Sequence, residues 1–365
     1  MIHGNIKGNQ ISPQRFKVIM NELPSFPIHS SSRYHIMHEL DPYEYLNIKI
    51  DPDGTVTRLL NLPPANANPD LNSGEAVFSK DAILSEEKNT AVRIYLPSNI
   101  ITKHAAAAAS AATVNEKMRL PIVFHFHGCS WVQFRANCTV LHASRSLFAF
   151  TVPAIVILVD YRLAPENRLP APYEDATDAL LWLQKQALDP QGEKWLKDYG
   201  DFSRCYLHGS GCGGNIAFNA ALRSLDMDLS PLKIDGIILN QPLFGGRRRT
   251  ESEMKFIADQ VASLPAMDLM WELALPEGAD RDHPFCNPMA DGPHKSKLRS
   301  LQRCLLFGFG RDPLVDRQQE FVQMLILHGV KVEACFDDSG FHRVDIVDPL
   351  RAAMLDEIAK GFIDS

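Results

Sequence analysis

His208-Gly209-Ser210-Gly211-Cys212-Gly213-Gly214-Asn215 follows a short apolar run, Cys205-Tyr206-Leu207, and precedes Ile216-Ala217-Phe218-Asn219-Ala220-Ala221-Leu222. The first run reads as a strand and the second as a helix, with a glycine-packed turn between them. The pattern G-x-S-x-G uses such a strand–turn–helix to present a serine nucleophile at the end of a sheet. Here the middle position is Gly211, so the turn is present without the hydroxyl. Gly209 to Gly214 also fits the dinucleotide pattern G-x-G-x-x-G. That fingerprint requires an acidic residue ending the next strand, and the next apolar run, Ile234–Asn240, ends in Asn240-Gln241. No cofactor is therefore expected.

Working outward, apolar runs alternate with helical patterns from Leu120 to the end. Strands are expected at Pro121–Phe126, Ala154–Asp160, Arg204–His208, Ile234–Asn240, Gln302–Phe309 and Lys331–Phe336. Helices are expected near Val140–Phe150, Tyr173–Gln186, Asn215–Leu225, Glu251–Val261, Arg317–His328 and Pro349–Ile363. Short Val/Ile/Leu strands separated by helices predict an α/β fold with a mostly parallel sheet covered on both faces. The loops at the carboxyl ends of its strands then gather the site. Upstream, Thr55–Leu60 and Ala91–Leu96 read as a strand pair around a polar loop (Pro63 to Gly74), and Phe16–Met20 has weak helical character. The alanine-rich stretch 104–118 reads as an exposed insertion in a single domain spanning 1–365.

The chain has 365 residues, 45% hydrophobic and 22% charged, ample for a large core. A net charge of -7 argues against nucleic-acid and anionic-membrane partners. Arg247-Arg248-Arg249 reads as a solvated loop. The first thirty residues lack the apolar core of a signal peptide, and no run is long enough to span a bilayer. Seven scattered cysteines, with no C-x-x-C, suit reduced thiols in the cytoplasm. His125-Phe126-His127 could set two imidazoles on one strand face, but no carboxylate–histidine helix motif joins them, so no metal is expected.

Asp160-Tyr161-Arg162-Leu163-Ala164-Pro165-Glu166, with Leu169-Pro170-Ala171-Pro172-Tyr173-Glu174-Asp175, carries a family resemblance. So do Asp41-Pro42-Tyr43-Glu44, Gln241-Pro242-Leu243-Phe244-Gly245-Gly246 and Cys286-Asn287-Pro288-Met289. From about Leu40 to the end the chain resembles plant carboxylesterases of the hormone-sensitive-lipase-like branch of the α/β-hydrolases. The resemblance implies an eight-stranded, mostly parallel sheet with helices on both faces and residues 1–42 as an N-terminal cap. It also places Arg162 and Glu166 in one buried ion-pair network.

The resemblance maps the family's catalytic acid onto Asp312, in Gly310-Arg311-Asp312-Pro313-Leu314-Val315-Asp316, and its histidine onto His342, in Asp338-Ser339-Gly340-Phe341-His342. Asp316 is expected to open the next helix. His127-Gly128-Cys129-Ser130-Trp131 stands where the family has its H-G-G-G anion-hole segment, so the backbone N–H groups of Cys129, Ser130 and Cys212 are the expected oxyanion donors. Gly128, Trp131, Ser210 and Phe341 are expected around the substrate. Gly211 takes the nucleophile's place, and Ser210, Cys212 and Ser130 remain open as substitutes.

An Asp–His pair without serine still supplies a base that can take a C–H, N–H or O–H proton. With an anion hole beside it, that describes elimination, dehydration or cyclisation. Related plant proteins include dehydratases and cyclases, so the resemblance implies a non-hydrolytic enzyme of specialised metabolism acting on a small molecule, an alkaloid among the candidates. A weak carboxylesterase and a small-molecule receptor similar to gibberellin receptors are the alternatives. The expected assembly is a monomer or homodimer.

Overall fold

A computed structural model describes residues 41–109 and 119–365. Ten strands run in chain order: β1 Ile48–Ile50, β2 Val56–Arg58, β3 Val77–Ser85, β4 Thr90–Pro97, β5 Leu120–Phe126, β6 Ile155–Asp160, β7 Gly200–Ser210, β8 Ile234–Asn240, β9 Arg303–Phe309 and β10 Val332–Asp337. Eight of them form one sheet in the order β10-β9-β8-β7-β5-β6-β4-β3. From β6 through β10 every neighbouring pair is parallel. Only the β6–β4 and β4–β3 pairs are antiparallel, so β4 alone is reversed, near one edge. Residues Asp41–Ser365 make one compact unit.

The helices are α1 Pro42–Tyr45, α2 Ser98–Ala109, α3 Thr139–Thr151, α4 Ala171–Leu188, α5 Lys194–Tyr199, α6 Cys212–Ser224, α7 Glu251–Lys255, α8 Leu264–Ala274, α9 Val315–Leu327, α10 Val344–Val347 and α11 Pro349–Asp364. β5 is buried along its whole length, because both of its faces are covered. Its alternate residues feed two cores. Ile122, Phe124 and Phe126 pack in a cluster with Ile216 and Phe218 of α6, and Val123 packs in another with Phe148 of α3 and Phe362 of α11. Among the described residues no helix is long and apolar enough to cross a membrane.

The N-terminal half departs from the sequence reading. β4 does not pair with the Thr55–Leu60 segment; it pairs with β3 and β6, and β2 pairs with β1. β3 escaped notice because its outer half, Lys80–Ser85, alternates weakly at an exposed edge. Arg162 and Glu166 belong to different networks. Arg162 bonds the fully buried Asp175 and reaches Glu174, whereas Glu166 takes a two-pronged contact from Arg58. The Glu166 carboxylate is half-exposed, so only the first network is buried. The expected helix at Glu251–Val261 stops at Lys255, and α8 and α5 were not anticipated. Of the expected cap, 1–42, only Asp41 and Pro42 lie within the described residues, where Asp41 caps α1. The Phe16–Met20 helix lies outside them, as do residues 110–118 of the alanine-rich stretch, which is helical up to Ala109.

Candidate active site

The turn from β7 into α6 is built by sterics. A Cβ on Gly209 would stand 2.0 Å from the Gly213 carbonyl oxygen, and one on Gly213 would stand 1.9 Å from that of Phe126. Glycine at both positions lets α6 start directly against β5 and β7. Asn215 then fixes the helix: its amide donates to the carbonyls of Leu243 (3.2 Å) and Phe285 (2.8 Å) and accepts from the Tyr173 hydroxyl (2.5 Å).

Gly211 differs from its neighbours. Its φ of 56° and ψ of -121° form the sharp bend, and a Cβ added there meets nothing within 4 Å. Sterics therefore do not require glycine at this point, although backbone strain favours it. A side chain on residue 211 would project into open space.

The loop after β5 holds three consecutive non-glycine residues in the left-handed region: Cys129 at φ 82°, Ser130 at 69° and Trp131 at 60°. Each such residue costs about 1–2 kcal/mol relative to the right-handed region. Several contacts hold the loop in place. The Trp131 N–H donates to Cys212 Sγ (3.2 Å), the Gln133 N–H donates to the Cys129 carbonyl (3.0 Å), and the Trp131 ring packs on Trp271 at 4.7 Å. The N–H groups of Cys129 and Cys212 have no protein acceptor among the described residues, and that of Ser130 turns toward Cys212 Sγ.

His342 sits in the loop after β10 and Asp312 in the loop after β9. His342 Nδ1 lies 2.9 Å from Asp312 Oδ2. Asp312 is fully buried, yet its carboxylate also accepts from the Leu314 N–H (2.9 Å) and the Gln318 amide (3.1 Å). An ionised carboxylate only accepts, so Nδ1 carries the proton and the Nε2 lone pair stays free. Nε2 makes no hydrogen bond to the protein among the described residues. Asp316 lies in the first turn of α9 and accepts from the Ser252 N–H of α7 (2.8 Å).

Other named residues divide by burial. Cys212 is buried, which pushes its thiol up to about 11; the N–H groups at its sulfur and the Tyr161 hydroxyl oppose the shift. Burial pushes the Cys129 thiol up to about 12. Both are thiols at neutral pH, poor nucleophiles by that measure. The buried Ser210 hydroxyl is approached by the Asn240 amide at 3.5 Å. Trp131 is wholly buried, so it stands behind the pocket wall and offers no ligand surface. Gly128 is buried, whereas Ser130 and Phe341 keep partial exposure. His127 is structural: its ring stacks on Tyr161 at 4.4 Å, and burial lowers its pKa to about 4. His125 faces His208 across the sheet, Nδ1 to Nδ1 3.2 Å, rather than pairing with His127.

Arg343 was not anticipated. It follows His342 with φ 61°, and one of its Nη atoms lies 2.6 Å from where a Cβ on Gly128 would be. A side chain at 128 would push that guanidinium aside and crowd the Ser210 carbonyl oxygen, 2.9 Å from the added Cβ. The adjacency of Arg343 to His342 was the available signal, but nothing in the sequence tied it to Gly128.

A profile for the alpha/beta hydrolase fold (Abhydrolase_3) matches residues 123–345. The chain is 49% identical over 324 residues to a probable carboxylesterase of Arabidopsis thaliana, covering 88% of this chain and 97% of the relative. It is 44% identical over 332 residues to a 3-O-acetylpapaveroxine carboxylesterase of Papaver somniferum (88% and 99%). A gibberellin receptor of Arabidopsis thaliana is 32% identical (86% and 89%). Among solved structures, an esterase from Pyrobaculum calidifontis superposes with a TM-score of 0.62 at 22% identity, covering 78% of this chain and 84% of that one; it speaks for the fold alone.

Proposed function

The chain belongs to the α/β-hydrolase fold family, among plant carboxylesterases, and from that premise we propose that it is a non-hydrolytic member whose base acts on substrate directly. Gly211 stands at the family's nucleophile position. The observation that carries the reading is the bend at Gly211, kept at φ 56° with empty space where a serine side chain would be, together with the Asp312–His342 hydrogen bond at the end of the same sheet. In hydrolysis the histidine would deprotonate serine. Without serine, His342 Nε2 takes a proton from the substrate, and the negative charge that develops on a substrate oxygen is met by the N–H groups of Cys129 and Cys212, the Ser130 N–H being turned toward Cys212 Sγ. The electron pair left behind closes a double bond or a ring as a leaving group departs. The relatives named for 3-O-acetylpapaveroxine support an acetylated, alkaloid-like natural product as substrate, with acetate as the group that leaves.

Proton abstraction can be tested without the natural substrate. The probe 5-nitrobenzisoxazole opens when a base removes its ring proton. The protein is expected to accelerate this opening, and His342→Ala to lose the acceleration while melting normally. Equal rates in the two proteins would remove His342 as the base. Rapid turnover of 4-nitrophenyl acetate by the unmodified protein would favour a residual carboxylesterase. Ligand binding with neither activity would favour a receptor.

A further inference from the structure

Arg343 has an unusual environment for a guanidinium. An arginine stays charged in any folded protein and carries five N–H donors. Withdrawing such a group from water without hydrogen-bond partners is unfavourable. Its Nε is buried and short of good hydrogen-bond geometry to any acceptor, while the side chain as a whole keeps 18% of its surface exposed. Its nearest charged contact is Asp345, Nε to Oδ1 3.5 Å. That carboxylate is already approached by the Asn240 amide (3.3 Å) and the Gln241 amide (3.4 Å). The two Nη atoms, the edge that normally grips a carboxylate in a two-pronged bond, keep contact with solvent and have no protein acceptor among the described residues.

The surroundings add positive character. Arg145 is a second, half-buried arginine in the same region, and its Nη1 lies 3.1 Å from His125 Nδ1. Burial and Arg145 hold His125 and His208 well below their ordinary range, so neither imidazole adds charge at neutral pH. Asp345 and Asp356 face the two arginines, but burial pushes the Asp356 carboxyl up to about 7, which leaves its compensating charge incomplete. The Gly128 backbone packs directly on Arg343, and Cys129, an expected anion-hole donor, is the next residue.

We propose that Arg343 forms a carboxylate-binding site at the foot of the 127–131 loop, one that receives either the carboxylate released from an acyl-bearing substrate or a carboxylate that the substrate itself carries. This deepens the functional reading above and rests on it for the link to substrate. The binding itself can be measured separately.

Calorimetric titration of the full chain with acetate and phenylacetate, beside their amides, tests the site. The acids are expected to bind and the amides to bind at least about tenfold more weakly, since a charge-assisted two-pronged bond is lost. Arg343→Gln should erase that preference, and Arg343→Lys should keep part of it. Preference for acetate indicates a released acyl group; preference for phenylacetate indicates an acidic substrate. Equal binding of acids and amides, no binding of either acid, or an unchanged preference in a folded Arg343→Gln protein would each overturn the site. If Arg343→Gln does not fold, the acid–amide difference in the unmodified and Arg343→Lys proteins decides. Carboxylate binding that persists while His342→Ala leaves the benzisoxazole reaction unchanged would sink the base and spare the site.

Discussion

Replacing Gly211 with serine has two effects that the structure separates. The first is a cost in stability. No atom lies within 4 Å of the new Cβ, so the cost comes only from placing a side chain at φ 56°. That amounts to about 1–2 kcal/mol, or a fall of a few degrees in melting temperature for a chain of this size. The second is a gain in reactivity. If the pair His342 and Asp312 and the loop N–H groups are poised, a serine hydroxyl at 211 completes the triad. Loss of a triad serine elsewhere removes about 10⁶-fold in rate, so even a poorly adapted pocket is expected to gain about 10³-fold, or about 4 kcal/mol of barrier. The assay is kcat/KM for 4-nitrophenyl acetate at neutral pH. Gly211→Ala controls for backbone strain, and a Gly211→Ser, His342→Ala double variant controls for the base. A folded Gly211→Ser protein no faster than Gly211→Ala would refute the claim that the rest of the machinery is intact.

Further outcomes follow from named contacts. In the Gly211→Ser background, Asp312→Asn should erase most of the about 10³-fold gain, because an amide no longer fixes the Nδ1–H tautomer of His342. Ser130→Gly should stabilise the fold by about 0.5–1 kcal/mol in urea unfolding, because relief of the left-handed strain outweighs the added unfolded-state entropy. Gly213→Ala should destabilise by about 3 kcal/mol or more, or fail to fold, since its Cβ falls 1.9 Å from the Phe126 carbonyl oxygen. Asp356 is pushed up to about 7 by burial, so the folded state holds a proton that the unfolded state releases at acid pH. Stability therefore falls as pH rises toward 7 and stays low above it. Asp356→Asn should raise the melting temperature more at pH ~8 than at pH ~5; an equal rise at both would exclude this titration.

The sequence was most legible where geometry forces composition. Continuous apolar runs marked β5, β6, β8 and β9 because both faces of those strands are covered. Gly209 and Gly213 marked the β7–α6 turn because no side chain fits there. The edge was poorly legible: half-exposed β3 carries little periodicity, and the partner of β2 is three residues long. At the site, motif order put Asp312 and His342 in the loops after β9 and β10, where their side chains meet, whereas Trp131, expected around the substrate, is wholly buried. A tryptophan after a glycine-type loop reads as pocket lining, whereas φ 60° turns it into the core against Trp271. Arg343 was invisible because its significance lies in its packing against Gly128, a three-dimensional fact that no motif carries.

The central claim is that residue 211 leaves the elbow without a nucleophile while the base beside it remains. The intact mass of the unmodified protein, quenched during exposure to 4-nitrophenyl acetate, tests it most directly, with the Gly211→Ser protein as the comparison. The account predicts no acetyl adduct on the unmodified chain and an adduct on Ser at 211 in the comparison. Acetylation of Ser130, Ser210 or Cys212 in the unmodified protein, abolished by His342→Ala, would contradict it.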